Sequence, residues 1–172
     1  ERAAALQQAQ QAQWRNKAVS DLYEPGSVFK LITASAALDS GAVTPGSTFV
    51  CRGSINVAGT RFRCANGRVH GAQNIADALM HSCNPSFIQI GAALGADRFY
   101  QYFQAFGLAE ATGVDLPAEP KKSEHYTADR MGPVELASCS FGQSSKITPL
   151  QMITAVSAVV NGGKLMQPYL VS

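Results

Sequence analysis

Apolar residues along this chain recur mostly at the three- and four-residue spacing of helices, and glycine or proline interrupts each run. The longest run follows a turn at residues 24–26, reaches Leu38 and stops at Gly41. It predicts a largely buried helix with Ser27 in its first turn. Further helices are predicted over residues 1–13, 75–80 and 97–106, from Pro85 onward, and from Thr148 to the stop at residues 161–163.

A different pattern, rich in glycine and β-branched residues, occupies residues 41–71. Short alternating stretches at 48–50 and 54–57 indicate strands joined by turns. Residues 116–132 form a polar loop with two prolines, and residues 164–172 have the pattern of a strand that has just begun. The whole pattern predicts an α+β fold in which a mostly helical body carries short β segments.

Composition narrows the possible functions. With 172 residues and 46% hydrophobic content, the chain can bury a sizeable core. The net charge is only +2, and the arginines at 61, 63 and 68 suit a solvated face, so we expect no nucleic-acid partner. No apolar run reaches the roughly 18 residues of a membrane span. The start lacks both Met and a signal-peptide pattern, so we expect a piece of a longer protein.

The first candidate for chemistry is Ser27, which Lys30 follows at a spacing that places both on one helix face. A serine hydroxyl becomes a good nucleophile when a neighbouring base removes its proton. The first helical turn also stabilises negative charge, and an apolar surrounding disfavours a charged lysine. The pair therefore predicts a nucleophile and its base. The alternative interpretation is that Ser27 caps the helix and Lys30 is solvated.

The second candidate is the break between two predicted helices, which contains Ser82 and Asn84. There Ser82 can pass a proton to a leaving group, while the Asn84 amide holds a substrate carbonyl or the lysine. The alternative is that Asn84 only caps the following helix. A similar pattern at residues 54–56 lies in a predicted strand without a following helix, and we discount it. No serine triad, phosphate-binding loop or dinucleotide fingerprint is present.

The four cysteines leave three interpretations open. Cys51 and Cys64 flank a strand-like segment and can form a disulfide in an oxidising compartment, or all four can remain free thiols. Zinc, with His70 and His81 as further ligands, is disfavoured because the spacings, including those to Cys83 and Cys139, match no finger or ribbon. We therefore expect no metal and no other cofactor.

Taken together, the motifs resemble class B penicillin-binding proteins, and the similarity extends from Trp14 to Val171. The segment between Cys51 and Cys64 looks most like the division and sporulation branch. The strings that carry the resemblance are Tyr23-Glu24-Pro25-Gly26-Ser27-Val28-Phe29-Lys30, Ser82-Cys83-Asn84-Pro85, Ser140-Phe141-Gly142-Gln143 and Thr148-Pro149-Leu150-Gln151, with support from residues 113–117 and 161–164.

The resemblance implies a penicillin-binding protein/serine β-lactamase-like transpeptidase fold and a peptidoglycan D,D-transpeptidase. In that family pattern Ser27 attacks the penultimate D-Ala of a stem peptide, Lys30 is the base, Ser82 relays the proton and Asn84 positions the substrate. β-Lactam antibiotics would acylate Ser27. The protein would act at the extracytoplasmic face of a bacterial membrane, with cell-wall synthesis or division proteins as partners.

One departure concerns the family's third motif, Lys-Ser/Thr-Gly, which residues 1–172 do not contain. We therefore expect a partial transpeptidase domain, mainly the helical subdomain with most of the sheet missing, which is inactive or slow by itself. A non-catalytic β-lactam sensor or scaffold module is the alternative from another class. A serine β-lactamase is disfavoured because no Glu-x-x-x-Asn pattern is present, so Glu119 or Glu124 would have to activate its water.

Overall fold

The helices follow the apolar runs of the sequence closely. In the computed structural model, which describes residues 2–171, the runs predicted as helices at 75–80, 97–106 and 148–161 are helical to within one or two residues at each end. The helices are α1 (Arg2–Trp14), α2 (Lys17–Ser20), α3 (Lys30–Asp39), α4 (Ile75–Met80), α5 (Asn84–Leu94), α6 (Ala96–Ala105), α7 (Pro133–Cys139) and α8 (Pro149–Val160).

Four short strands form two antiparallel pairs in the predicted β segment, which confirms an α+β fold. They are β1 (Phe49–Cys51), β2 (Ser54–Val57), β3 (Thr60–Arg63) and β4 (Gly71–Gln73). Strand β1 pairs with β4 so that Cys51 lies opposite Gly71, and β2 pairs with β3. Cys51 therefore lies at the end of β1, next to the segment that enters β4.

Helix α3 is central to the core because it contributes to both apolar clusters. Ile32 and Ala36 pack with residues of α6 and α8, whereas Ala34 and Ala37 pack with residues of β1, α4 and α5. The first residue of this helix, Lys30, is consequently buried, with 1% of its surface exposed. None of the helices that the structure describes is long and apolar enough to cross a bilayer.

The strand predicted over residues 164–172 is wrong for the part that the structure describes, since residues 164–171 form no strand. Their backbone groups have a different partner. The N–H groups of Leu170 and Val171 donate to the carboxylate of Asp115 at 2.7 and 3.0 Å, and the Gln167 side chain donates to the Gly113 carbonyl. Asp115 therefore holds this segment in an irregular path.

The turn that carries Ser27 rests directly on Gly142. The Gly26 N–H donates to the Gly142 carbonyl at 2.8 Å, and a Cβ atom built on Gly142 would overlap the backbone of Gly26. Gly142 also has a φ of +85°, which side-chain-bearing residues rarely adopt. Glycine is thus required at position 142 both for its conformation and for the close approach.

We expect Gly142→Ala to lower the free energy of unfolding by about 1–3 kcal/mol more than Gly162→Ala, because only the first overpacks a contact. Gly162 is a matched control, since it has the same φ of +85° and open space around its Cβ position. Urea denaturation of both variants measures the difference. Equal losses of stability would contradict a role for the close approach.

Candidate active site

Ser27 lies in a 3-10 turn, Gly26–Phe29, that leads directly into α3. Gly26 adopts a positive φ of +58°, which turns the chain just before the serine. The Ser27 side chain is exposed, whereas Phe29 on the other side of the turn is buried in the core. The local sequence thus anchors the turn through Phe29 and presents the Ser27 hydroxyl at the surface.

Lys30 brings the predicted site residues together. Its Nζ atom lies 3.1 Å from Ser27 Oγ and 2.9 Å from Ser82 Oγ. It also donates to the Ser82 carbonyl and to Asn84 Oδ1, both at 2.7 Å. The alternative interpretation of Lys30 as a solvated side chain is therefore wrong. The four residues Ser27, Lys30, Ser82 and Asn84 form one connected cluster.

The hydrogen-bond partners of Lys30 limit where the lone pair of a neutral amine can point. The Ser82 carbonyl and Asn84 Oδ1 can only accept from it, so together they use two N–H groups. The Ser82 hydroxyl, 2.9 Å from Nζ, donates to Ser27 Oγ, so a neutral amine has its lone pair left for the Ser27 hydroxyl. Burial, opposed in part by the nearby Cys83 and Cys64 thiols, lowers the pKa of Lys30 to about 8. About a tenth of the amine is therefore neutral at pH 7, far more than for an ordinary lysine.

Ser82 occupies the break between α4 and α5 in a strained conformation. Its φ is +50°, which is uncommon for a residue other than glycine. The Ser82 hydroxyl lies 2.9 Å from Ser27 Oγ, and its backbone carbonyl accepts from Lys30. Ser82 thus contacts both Ser27 and Lys30. A strained backbone conformation of this kind is typical of functional sites.

The alternative interpretation, in which Asn84 only caps α5, is wrong. Cys83 is the cap residue, without a side-chain hydrogen bond, and Asn84 is the first residue of the helix. The reason is competition, since Asn84 Oδ1 accepts from Lys30 at 2.7 Å and its amide donates to the Arg63 carbonyl at 3.3 Å. Ser27 likewise caps no helix through its side chain.

The similar pattern at residues 54–56 lies in strand β2, and its side chains have hydrogen-bond partners outside this cluster. Ser54 Oγ accepts from the Arg61 guanidinium at 3.1 Å, and Asn56 Oδ1 accepts from the Gly59 N–H at 3.0 Å. Both side chains serve a local hairpin. Ser54 and Asn56 are therefore suitable control positions for substitutions in the cluster.

Phe87 is a site residue that sequence reasoning missed. Its fully buried ring lies with its centroid 5.6 Å from Lys30 Nζ and forms part of the apolar surroundings of the amine. The available signal was its position in the apolar run after Pro85. That run indicates burial, but it does not indicate which charged group the ring faces.

The cysteines are free, so the Cys51–Cys64 disulfide interpretation is not supported by the geometry. Instead Cys51, Cys64 and Cys83 lie together with His70, and their potential ligand atoms are all within 4.8 Å of one another. His81 lies outside this group, although its ring stacks on that of His70. Linear spacing gave no sign of this cluster, because its members come from four separate segments.

Comparison with known proteins identifies the family. The model described as penicillin binding protein transpeptidase domain matches residues 2–172. The chain is 41% identical over 157 residues to stage V sporulation protein D of Bacillus subtilis and 34% identical over 166 residues to the peptidoglycan D,D-transpeptidase PbpA of Mycobacterium tuberculosis. Each alignment covers 91% of this chain but only 24% and 32% of the two relatives, respectively.

A solved structure supports the same family. The fold superposes with a TM-score of 0.85 on the D,D-transpeptidase domain of a peptidoglycan glycosyltransferase from Eggerthella lenta, at 27% identity. That match covers 97% of this chain and 44% of the other. Since the family model spans nearly every residue and the fold agrees, the chain belongs to the penicillin-binding protein transpeptidase domain family.

Proposed function

We propose that this chain is the nucleophile-bearing part of a peptidoglycan D,D-transpeptidase domain, in which stem peptides ending in D-Ala-D-Ala, and β-lactams, acylate Ser27. The supporting observation is the buried Lys30 amine. Two obligate acceptors hold its N–H groups, and Ser27 Oγ lies 3.1 Å from its nitrogen. This arrangement suits a base that removes a proton from a serine hydroxyl.

In the proposed acylation step, Ser27 Oγ forms a bond to the penultimate D-Ala carbonyl carbon while Lys30 accepts the hydroxyl proton. Collapse of the tetrahedral intermediate breaks the bond to the terminal D-Ala nitrogen. That nitrogen needs a proton, and Ser82 lies within hydrogen-bonding distance of both Lys30 and Ser27. Ser82 therefore relays the proton from Lys30 to the leaving amine.

The second step reverses the first with a new amine. An amino group of a neighbouring stem peptide attacks the ester carbonyl, loses a proton through the same relay, and returns Ser27 to its free hydroxyl. Asn84 keeps Lys30 aligned throughout, because its Oδ1 accepts from the amine. Its position beside the reacting residues also suits a contact with a substrate amide.

Membership of this family supports a role of the whole protein in cell-wall synthesis. We propose that it acts at the extracytoplasmic face of a bacterial membrane, together with cell-wall synthesis or division proteins. The sporulation name of the Bacillus subtilis relative favours the division and sporulation branch. The chain spans about a quarter to a third of these relatives, and we propose that residues 1–172 are one part of the transpeptidase domain.

The positions of Glu119 and Glu124 weigh against a β-lactamase. The Glu119 carboxylate accepts from the N–H groups of Thr112 and Gly113, and Glu124 forms an ion pair with Lys146 at 2.7 Å. Neither carboxylate contacts the Ser27 cluster. Neither of these two acids is therefore placed to activate a hydrolytic water at an acyl group on Ser27.

Ser27→Ala in the full-length protein should abolish covalent labelling by a fluorescent penicillin, because the attacking oxygen is removed. Ser54→Ala is the control, since Ser54 lies in the look-alike pattern of β2 and should be labelled like the wild type. Labelling is read by gel fluorescence after denaturation, and the modified peptide by mass spectrometry. Labelling that persists in Ser27→Ala would refute the nucleophile assignment.

The rate of β-lactam acylation should rise with pH and level off above about 8, since a Lys30 pKa near 8 sets the neutral fraction of the amine. Lys30→Met should slow acylation by roughly 10²–10⁴-fold and remove this dependence. Lys164→Met, which changes an exposed lysine, should leave both unchanged. Stopped-flow measurements across this pH range provide the test, and a flat wild-type profile would contradict the role of Lys30.

Asn84→Ala should slow acylation by about 10–100-fold, because a hydrogen bond to a charged or reacting amine contributes about 1.5–3 kcal/mol. Asn56→Ala is the matched control, since that amide serves only the β2–β3 hairpin. Acylation rates of both variants are compared at one pH above 8. Equal rates for the two variants would argue against the positioning of Lys30 by Asn84.

A further inference from the structure

A buried group of metal-ligating side chains lies directly behind the candidate active site. Cys51 ends β1, Cys64 follows β3, His70 precedes β4, and Cys83 lies between α4 and α5. The three cysteines are between 0% and 3% exposed, and His70 is half-buried. Their four ligand atoms all lie within 4.8 Å of one another. Four different segments thus converge on one small volume.

Two distances in this group match the edges of a tetrahedral zinc site. Typical zinc–sulfur and zinc–nitrogen bonds give tetrahedron edges of about 3.8 Å between two sulfurs and about 3.6 Å between sulfur and nitrogen. The Sγ atoms of Cys64 and Cys83 are 3.9 Å apart, and Cys64 Sγ lies 3.6 Å from His70 Nδ1. An ion therefore fits with little movement of these three side chains.

The simpler interpretation is that the cysteines are small apolar core residues, as buried free cysteines often are. Cys139 fits that description, since it lies apart in the core beside Ser145. The other three cysteines differ, because they form a separate cluster of sulfurs with an imidazole nitrogen at its edge. Apolar packing accounts for the burial of the sulfurs but not for the imidazole nitrogen.

We propose that Cys51, Cys64, His70 and Cys83 bind one structural zinc ion. Binding forms three Zn–S bonds and one Zn–N bond, and it releases one proton from each thiol, so three protons leave for each Zn²⁺ bound. Four protein ligands close the coordination shell, as in structural rather than catalytic zinc sites. Thiolate and imidazole ligands favour zinc over Mg²⁺ or Ca²⁺, which prefer oxygen.

Polar contacts around the ligands support the site. Ser86 Oγ donates to Cys83 Sγ at 3.3 Å and accepts from the Gln73 amide at 2.6 Å. Gln73 Oε1 lies 3.0 Å from His81 Nδ1, and the His81 ring stacks on His70 with centroids 4.8 Å apart. Such outer contacts fix the orientation of metal ligands.

The ion would tie both small sheets to the turn that carries Ser82 and Asn84, because Cys83 lies between these two residues. Ser82 has a strained φ of +50°, and a bound ion at its neighbour would help to hold it. This effect on Ser82 matters only if the proposed function is correct, whereas the zinc site is independent of the proposed function.

The test measures zinc in the full-length protein, purified with reductant and dialysed against trace Zn²⁺. We expect one zinc per chain by inductively coupled plasma mass spectrometry, and a loss of at least tenfold in zinc affinity for Cys64→Ser and for His70→Ala. Cys139→Ser is the matched control, since it changes a buried cysteine outside the group and should retain the ion. Zinc at the same stoichiometry and affinity in all four proteins would overturn the proposal.

A measurement on the unaltered protein covers the case in which a variant fails to fold. Co²⁺ added to the metal-free protein should produce a thiolate-to-cobalt charge-transfer band that saturates at one equivalent and disappears on addition of Zn²⁺. Absence of that band would overturn the proposal. So would a Cys64–Cys83 disulfide together with no bound metal in protein prepared without reductant.

The metal-binding tests and the acylation tests can fail independently of each other. A protein that binds zinc but is not acylated by penicillin would refute the enzyme proposal alone. A protein that is acylated normally but binds neither zinc nor cobalt would refute this inference alone. If both proposals hold, zinc removal should slow acylation, and added zinc should restore the rate.

Discussion

The burial of one amine at the start of α3 is the constraint on which the rest of this structure depends. A lysine that is 1% exposed is costly unless its polar hydrogens find acceptors, and the cost falls further if the amine is neutral. The Ser82 carbonyl and the Asn84 side chain provide those acceptors. The stability of this core and the proposed reactivity of Ser27 thus depend on the same contacts.

Close backbone packing makes this arrangement rigid. A Cβ atom on Gly91 would overlap the Ser140 side chain, and a Cβ atom on Gly142 would overlap Gly26. Between these two contacts, the Thr33 hydroxyl of α3 donates to the Ser140 carbonyl at 2.9 Å. The turn after α7 is therefore held against α3, α5 and the Ser27 turn at once. Groups placed on such a scaffold keep their geometry without reorganisation during reaction.

The motifs that carry the family resemblance have two different physical roles. The string at 148–151 caps α8, since Thr148 and Gln151 form reciprocal hydrogen bonds and the Gln151 amide donates to the Glu110 carbonyl at 2.6 Å. Asn161 similarly closes the turn to Lys164 through both its amide and its carbonyl oxygen. These residues position segments, whereas Ser27, Lys30 and Ser82 meet where chemistry can occur.

The sequence by itself determined helices α1, α3 to α6 and α8, strands β1 and β2, and the placement of Ser27 and Lys30 three residues apart, because periodicity and spacing are local properties. It also indicated the break at Ser82, where one helix stops and proline begins the next. It missed the short helices α2 and α7. Only the tertiary structure decided that Asn84 accepts from Lys30 and that Cys51, Cys64, His70 and Cys83 converge. Those contacts join segments far apart in the chain, so they depend on how α3, α5 and the two sheets pack, which no local pattern encodes.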